Sequence, residues 1–178
     1  MGLELRPVAD LRTFAELFRS AKSELLHLEL RDVYAVDYED AVWRAWADGG
    51  RPRRLPRDED AYWDLTAETT ARGVRMRRAR IVSTPVGEYH RFLHAWGYRN
   101  LECGEDVRWL PRDQATDLRL PGNDLWMVDS TRVMFNLFDG DGRPKASQLS
   151  DDAALVKFCA EAFEAVWERA VDHADFAL

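Results

Sequence analysis

Cysteine and long apolar runs are both scarce in this chain. Cys103 and Cys159 are its only cysteines, too few and too far apart for a disulfide framework or a zinc module, so we expect buried free thiols. No apolar stretch approaches the length that crosses a bilayer, and the first residues lack the basic-then-apolar pattern of a signal peptide. These absences predict a soluble cytoplasmic protein without membrane association.

Lysine and an excess of positive charge are also missing. The chain has 22 Arg but 3 Lys, and its net charge is −7. Neutralising nucleic-acid phosphates requires clustered positive charge, so direct nucleic-acid binding is not expected. The arginine bias is typical of GC-rich coding and indicates a high-GC bacterium.

Complete catalytic motifs are the third absence. No serine lies in a GxSxG elbow, and no glycine-rich phosphate loop or GxGxxG follows a predicted strand. The sequence therefore predicts no catalytic residue, no cofactor and no bound metal, and it favours a protein that is not an enzyme.

What is present is enough apolar material for one core. With 178 residues, 46% hydrophobic residues, seven Trp, eight Phe and five Tyr, residues 1–178 are expected to form a single domain. Apolar spacing predicts helices near 11–18, 37–48, 59–71 and 86–103, and a long final helix capped by Ser150. Alternation predicts strands at 26–31, 74–83 and 107–110, and a hairpin formed by 125–128 and 133–138. The expected fold class is α/β (α+β), a mixed β-sheet flanked by helices with a long C-terminal helix.

Two motifs resemble metal sites but are better explained otherwise. His90 and His94 are four apart on a predicted helix, yet Arg91 occupies the place where a HExxH helix has its Glu. The Asp139–Gly142 segment alternates acidic residues as calcium loops do, but its twelfth position is Ser150 rather than Glu. We expect non-ligating histidines and a tight hairpin turn.

Arginines crowd one predicted strand and the loop before it. Planar guanidinium groups bind phosphate or carboxylate in a bidentate way, so an anion-binding site is one interpretation, and neutralisation by acidic neighbours is the other. The arginines concerned are Arg75, Arg77, Arg78 and Arg80 on the strand and Arg51, Arg53, Arg54 and Arg57 in the loop.

Four segments together resemble an uncharacterised actinobacterial family whose members are often encoded beside helix-turn-helix regulators of the WhiJ type. The most specific are S-x-P-x-x-x-Y-x-R-F, at residues 83–92, and G-E-D-V-R-W-L-P-R, at residues 104–112. The others are LPGNDLWMVDSTRV and the final LSDDAALVKFCAEAFEAVWERAV. The resemblance implies a bacterial regulatory setting and no known reaction.

The second half also resembles a degenerate phospholipase D-like fold, in which a hairpin carrying H-x-K-x4-D precedes a long helix. On this alignment Asp124 stands in the place of His and Trp126 in the place of Lys, while Asp129 is assigned to the acidic place. A carboxylate and an indole cannot replace a nucleophile and a phosphate anchor. The resemblance implies a relic that has lost its catalytic pair and retains a binding pocket.

We therefore predict a non-catalytic regulatory or ligand-binding protein. Its expected partners are a helix-turn-helix transcriptional regulator and a small anionic ligand. The candidate ligand-binding residues are Arg78, Arg80, Tyr89, Arg91, Glu105, Arg108, Trp109, Arg112 and Asp129. One alternative is an unrecognised enzyme or biosynthetic tailoring factor with a pocket around Arg80, Tyr89, Glu105 and Arg108. Another is a dimerisation module, which requires an exposed apolar stripe on the last helix.

Overall fold

The computed structural model describes residues 2–35, 39–49 and 61–178. Its strands are β1 (Glu4–Arg6), β2 (Glu24–Glu29), β3 (Arg75–Val82), β4 (Glu105–Pro111), β5 (Asp124–Val128), β6 (Arg132–Phe138), β7 (Pro144–Ser150) and β8 (Val171–Asp172). Its helices are α1 (Leu11–Ser20), α2 (Glu39–Asp48), α3 (Ala61–Ala71), α4 (Glu88–Trp96), α5 (Tyr98–Glu102) and α6 (Ala153–Arg169). The predicted loop with Arg51, Arg53, Arg54 and Arg57 lies outside the described residues.

The strands form one mixed sheet in the order β1-β7-β6-β5-β2-β3-β4-β8. β2, β3 and β4 are parallel, because helices on the connections carry the chain back across the sheet. The remaining neighbours are antiparallel. The predicted mixed sheet flanked by helices is confirmed, and the carboxyl ends of the three parallel strands lie at one end of the sheet.

Each face of the sheet has its own helical layer. α6 covers one face, called here the α6 face, where Cys159 and Phe163 pack against Leu28, Ala79 and Met127. The helices α1 to α5 lie on the opposite face, called the α1 face. Their core residues there include Phe18, Leu65, Trp46, Phe92 and Trp96.

The local elements follow the sequence closely, except at helix ends. Gly97 separates α4 from α5, so the helix predicted near 86–103 is divided in two. Asp152, and not Ser150, caps α6: its Oδ1 accepts hydrogen bonds from Ala154 N at 3.1 Å and Leu155 N at 3.0 Å. Ser150 ends β7 instead, where it pairs with Val133 of β6, and its Oγ accepts from Asp152 N.

Both predicted hairpin turns are present. β5 and β6 are joined by residues 129–131: Asp129 and Ser130 have left-handed φ angles of 48° and 50°, and Thr131 N donates to Val128 O at 2.9 Å across the turn. At the turn between β6 and β7, Asp139 Oδ1 accepts from Asp141 N and Arg143 N, both at 2.9 Å. The Asp139–Gly142 segment is therefore a hairpin turn.

The strands that sequence analysis missed lie toward the edges of the sheet. β1 and β8 are short edge strands with exposed side chains, and β7 is only partly buried. Such strands lack the apolar alternation that half-buried strands show. Both cysteines are free thiols, with Cys159 buried and Cys103 half-buried, and burial raises the pKa of Cys159 to about 11.

Across the described part of the chain, no helix combines the length and the apolar character needed to cross a membrane.

Candidate functional site

The arginines of β3 divide between the two faces of the sheet because side chains alternate along a strand. Arg75 and Arg77 both bond to Glu24, and Arg77 also bonds to Glu164 of α6. These two arginines are neutralised by acidic neighbours, as one of the two interpretations expected. Arg78 and Arg80 point to the α1 face and are almost fully buried.

Arg78 and Arg80 belong to a buried ion-pair network with Glu29 of β2 and Glu105 of β4. Arg78 Nε donates to Glu105 Oε1 at 2.9 Å, and its Nη1 donates to Glu29. Arg80 Nε donates to Glu29 Oε2 at 2.6 Å. The two positive and two negative charges balance, which burial of charge requires.

Burial and the two arginines set the charge states of Glu29 and of a neighbouring phenol. Burial would raise the pKa of Glu29, but Arg80 and Arg78 hold it well below its usual value. Burial raises the pKa of Tyr62, whose Oη accepts from Arg78 Nη2 at 2.8 Å, well above its usual value, so its hydroxyl stays protonated. Asn100 of α5 donates to the Glu105 carboxylate.

Two tryptophans beside the network are core residues. Trp126 stacks on His27 with ring centroids 3.8 Å apart. The guanidinium carbon of Arg78 lies 5.4 Å from the centroid of the Trp126 ring. Trp109 is completely buried under Arg80, whose guanidinium carbon lies 4.9 Å from the ring centroid. Trp167 is only half-buried on the α6 face, against Arg77 and Arg108. Trp109 and Trp126 are therefore core residues of the α1 face.

At the carboxyl ends of the parallel strands, one carboxylate is held from several sides. Asp32, in the segment after β2, accepts hydrogen bonds from Ser83 N and Ser83 Oγ, each at 2.7 Å. Arg112, just after β4, donates through Nη2 to Asp32 Oδ2 at 3.3 Å, and His90 Nδ1 lies 3.9 Å from Asp32 Oδ1. We call Asp32, Arg80, His90 and Arg112 the strand-end cluster.

Two buried nitrogen atoms of this cluster have no hydrogen-bond partner among the described residues. They are Arg80 Nη1 and His90 Nε2, and the two side chains are 5% and 1% exposed. Burial and the nearby Arg80 lower the pKa of His90 to about 4, so the ring is neutral near pH 7. Unpaired buried polar atoms are rare in native proteins and require an explanation such as a bound water or ion.

Beside the cluster lies a shallow depression of about 430 Å³. It is lined by the segment 30–33 after β2, by Arg112 and by the Gly140–Gly142 turn. Arg31 Nε is also buried without a partner, while Arg31 Nη2 donates to Asp139 O at 3.3 Å. Arg112 Nη1 makes no hydrogen bond within the described residues. Two guanidinium groups with spare donors therefore border one depression.

A hydrogen-bonded tyrosine–aspartate pair lies next to the depression. Tyr34 Oη donates to Asp124 Oδ2, and Leu30 N donates to Asp124 Oδ1 at 2.9 Å. Burial, together with the Glu29 carboxylate, raises the pKa of Asp124 to about 7 against the lowering effect of these hydrogen bonds. Asp124 is thus a carboxyl group whose charge changes near neutral pH.

The structure brings together part of the predicted residue set. Arg78, Arg80, Glu105 and Trp109 share the α1 face. Arg112 lies in the strand-end cluster, and Tyr89 borders it through His90, with ring centroids 5.7 Å apart. These six predicted residues lie in one region.

Arg108, Arg91 and Asp129 do not join that region. Arg108 points to the α6 face, where it donates to Asp172 Oδ1 at 2.7 Å and to Trp167 O at 3.0 Å, because it alternates with Trp109 along β4. Arg91 Nε donates a hydrogen bond to the carbonyl oxygen of Val86 at 3.0 Å. Asp129 lies at the far end of β5, where it accepts from the backbone N–H groups of residues 22, 23 and 24.

Those three backbone contacts and one from Ser23 Oγ lower the pKa of Asp129 to about 2 despite partial burial, so Asp129 stabilises a turn. In addition, strict H-x-K-x4-D spacing from Asp124 ends on Thr131, not on Asp129.

The pocket predicted for an enzyme is not assembled, because Arg108 faces away from Arg80, and Glu105 is 1% exposed within the ion-pair network.

His90 and His94 do not point at a common site. His94 stacks on His173 with ring centroids 4.3 Å apart, and its Nε2 lies 3.2 Å from His173 O. Within the described residues, no group of three or more His, Cys, Asp or Glu side chains is placed to hold a metal ion. Nor does α6 expose a large apolar side chain, as a dimerisation stripe on that helix would require.

Sequence reasoning missed Asp32, Ser83 and Tyr34 as members of this region. Their signal is positional: Asp32 and Ser83 follow adjacent parallel strands, and the carboxyl ends of such strands are where ligands bind in open α/β sheets. Finding them requires the strand order, which sequence alone does not provide.

The fold resembles solved phospholipase D-like structures. The phospholipase D family member Nuc from Salmonella typhimurium has a TM-score of 0.58 and 11% identity, with 96% of this chain and 97% of that chain covered. NucT from Helicobacter pylori has a TM-score of 0.54 and 10% identity, covering 91% and 89%. TrmBL2, an archaeal chromatin protein, has a TM-score of 0.53 and 16% identity, covering 96% of this chain and 55% of that one.

The phospholipase D-like architecture expected from the second half therefore extends over the whole sheet. No curated protein shows significant sequence similarity to the chain. A family model does match, and it spans residues 12–178, which include every member of the strand-end cluster. The chain thus belongs to the family described as domain of unknown function DUF6879.

Proposed function

We propose that this chain is a non-catalytic regulatory protein that binds a small anionic ligand at the strand-end cluster. The observation that carries the proposal is the pair of buried, unpartnered nitrogen atoms, Arg80 Nη1 and His90 Nε2, beside the half-exposed Arg112. A ligand oxygen atom would satisfy these atoms, and neutral His90 can present an N–H when its proton is on Nε2.

The chemistry of the site favours a phosphate or carboxylate group. The donors around Asp32 already hold one carboxylate through a backbone N–H, a hydroxyl and a guanidinium. Arginine presents a planar fork that matches phosphate and carboxylate oxygens. The adjoining depression, with spare donors on Arg31 and Arg112, provides room for the rest of a small ligand.

Catalysis of the phospholipase D type is not part of the proposal. The places of the nucleophile and the phosphate anchor are assigned to Asp124 and Trp126, and both are buried and engaged. Asp124 accepts from Tyr34 and Leu30 N, while Trp126 stacks on His27. Neither residue supplies a nucleophilic imidazole or a lysine.

The regulatory part of the proposal concerns a protein partner. The resemblance to proteins encoded beside helix-turn-helix regulators of actinobacteria supports docking on such a regulator. TrmBL2, a fold relative, is described as a DNA-binding chromatin protein. With a net charge of −7, this chain is better suited to act on DNA through a partner than by direct contact.

Calorimetric titration with inorganic phosphate tests the ligand site. We expect saturable binding that is weakened about tenfold or more in Arg112→Gln, because a charge-assisted hydrogen bond is lost. Arg112→Lys, which keeps the charge without the fork, should be intermediate. Arg169→Gln removes an exposed arginine elsewhere and should bind as the wild type does.

Three further measurements separate the parts of the proposal: a hydrolysis assay, calorimetric titrations with acetate and succinate, and co-expression. Hydrolysis of bis(p-nitrophenyl) phosphate should stay at the level of buffer, and turnover that depends on Asp124 would overturn the non-catalytic assignment. Failure of phosphate, acetate and succinate to bind, or equal binding by Arg112→Gln, would remove the anion site. Co-expression with a helix-turn-helix regulator of the WhiJ type from the same organism should yield a complex, and its absence would remove the regulatory role.

A further inference from the structure

β1 leaves one edge of the sheet open, and apolar side chains are exposed around it. Within the described residues β1 pairs with β7 alone. Leu5 is 66% exposed, and Leu3, Val8 and Leu11 are 48%, 44% and 46% exposed. An edge with unpaired N–H and C=O groups beside apolar side chains is a template for another strand.

The two faces of β1 have different chemistry. The register with β7 pairs Leu5 with Gln148, which places Leu5 on the α6 face. Glu4 and Arg6 lie on the other face, opposite Leu149 and Ser147, and form an exposed ion pair of 2.8 Å.

This pattern is complementary to itself. If two β1 strands pair antiparallel about Leu5, Leu5 lies opposite Leu5 of the second copy. Leu3 then lies opposite Pro7, and Glu4 lies opposite Arg6, twice each by symmetry. One face of the pair is apolar, and the other carries two pairs of opposite charge.

The same arrangement limits the assembly to two copies. Pro7 lacks an N–H, so the ladder cannot extend far beyond Arg6. The opposite edge, β8, has two residues, and Asp172 there is bonded to Arg108. A two-fold pairing uses the same edge of both copies and leaves no second β1 edge to propagate.

We propose that two copies of this chain associate through antiparallel pairing of their β1 strands, joining their sheets across a two-fold axis. A ladder this short buries less surface than a permanent interface, so the association is a concentration-dependent monomer–dimer equilibrium. It is independent of the ligand site, which lies in other elements.

Sedimentation velocity of the full chain, with any tag at the C-terminus, tests the proposal. Wild type should shift from monomer to dimer as concentration rises. Leu5→Asp puts two negative charges together on the two-fold axis and should abolish the dimer. Leu178→Asp adds the same charge at another exposed leucine, which is 48% exposed, and should leave the dimer intact.

A charge exchange tests the pairing register. Glu4→Arg turns both cross-strand attractions into repulsions and should raise the dimer dissociation constant about tenfold. The double variant Glu4→Arg, Arg6→Glu restores opposite charges and should return the constant close to that of wild type. Circular dichroism of each variant confirms that the fold is kept.

Two results would overturn the proposal. One is a wild-type chain that stays monomeric up to about 1 mM, the weakest affinity that the interface could have and still act. The other is a dimer that persists in Leu5→Asp, which would mean that another surface holds it. A dimer that Glu4→Arg weakens and the double variant does not restore would reject the register centred on Leu5.

Discussion

Four charged residues buried on the α1 face affect stability mainly through the balance of their charges. Arg78 and Arg80 are matched by Glu29 and Glu105, and each of these side chains is at most 7% exposed. Such a network does not by itself add much stability, but loss of one member leaves a charge without compensation.

We expect Glu105→Gln to lower the free energy of unfolding by about 3–5 kcal/mol, because Arg78 is then left with an unbalanced positive charge in the core. The double variant Arg78→Met, Glu105→Gln restores the balance and should recover part of the loss. Urea unfolding measures both. Asp117→Asn, which breaks an exposed ion pair with Arg169, is the control and should change little. Equal stability of Glu105→Gln and wild type would contradict the charge-balance account.

At the scale of elements, the C-terminal segment, residues 171–178, packs against β4 and α4. His173 N donates to Val107 O at 2.9 Å, and Trp109 Nε1 donates to His173 Nδ1 at 3.1 Å. Phe176 stacks on Trp109 with ring centroids 5.5 Å apart. His173 reaches this position because residue 97 is glycine: a Cβ there would lie 2.4 Å from His173 Cε1.

Gly97→Ala should therefore loosen the C-terminal segment. Its backbone is helical, so alanine is acceptable there, and the cost comes from displacing His173, about 1–3 kcal/mol. Amide hydrogen exchange of residues 171–178 should become faster, with a lower melting temperature. Gly87→Ala, where a Cβ would meet nothing within 4 Å, is the matched control. If the two variants exchange alike, the close approach of Gly97 and His173 does not hold the segment.

At the scale of the whole molecule, buried histidines make stability depend on pH. Burial is the main cause that lowers the pKa of each of the four, and it lowers that of His90 and of His173 to about 4. The unfolded chain therefore binds more protons than the native one between about pH 4 and 6.5. Asp124 has the opposite effect, since burial raises its pKa to about 7 and its native form retains a proton that the unfolded chain loses.

Because the histidines outnumber this one carboxyl group, we expect the free energy of unfolding to fall as pH decreases from 6.5 to 4. Each group contributes at most about 1.4 kcal/mol per pH unit. Asp124→Asn removes the opposing effect and should make the fall steeper. Denaturant unfolding at intervals between pH 4 and 7.5 measures the slope. A stability that is flat or rises toward pH 4 would contradict the assigned directions.

Sequence by itself determined the local elements of this protein and their chemistry. Apolar spacing located α6, the alternation in β3 and the β5–β6 hairpin, because these depend on neighbours within a few residues. It also identified Arg80, Trp109 and Arg112 as members of one region. Alternation along β4 places Arg108 and Trp109 on opposite faces, but the sequence does not say which of the two faces carries the charged cluster. Nor could it bring Asp32 to Ser83, or Glu29 to Arg80, since these contacts join residues about 50 positions apart and exist only because β2 and β3 are neighbours. The tertiary structure alone decided the pairing of β2 with β3, and with it the strand-end cluster. The reason is that strand order depends on how distant parts of the chain pack, including the helices on both faces of the sheet.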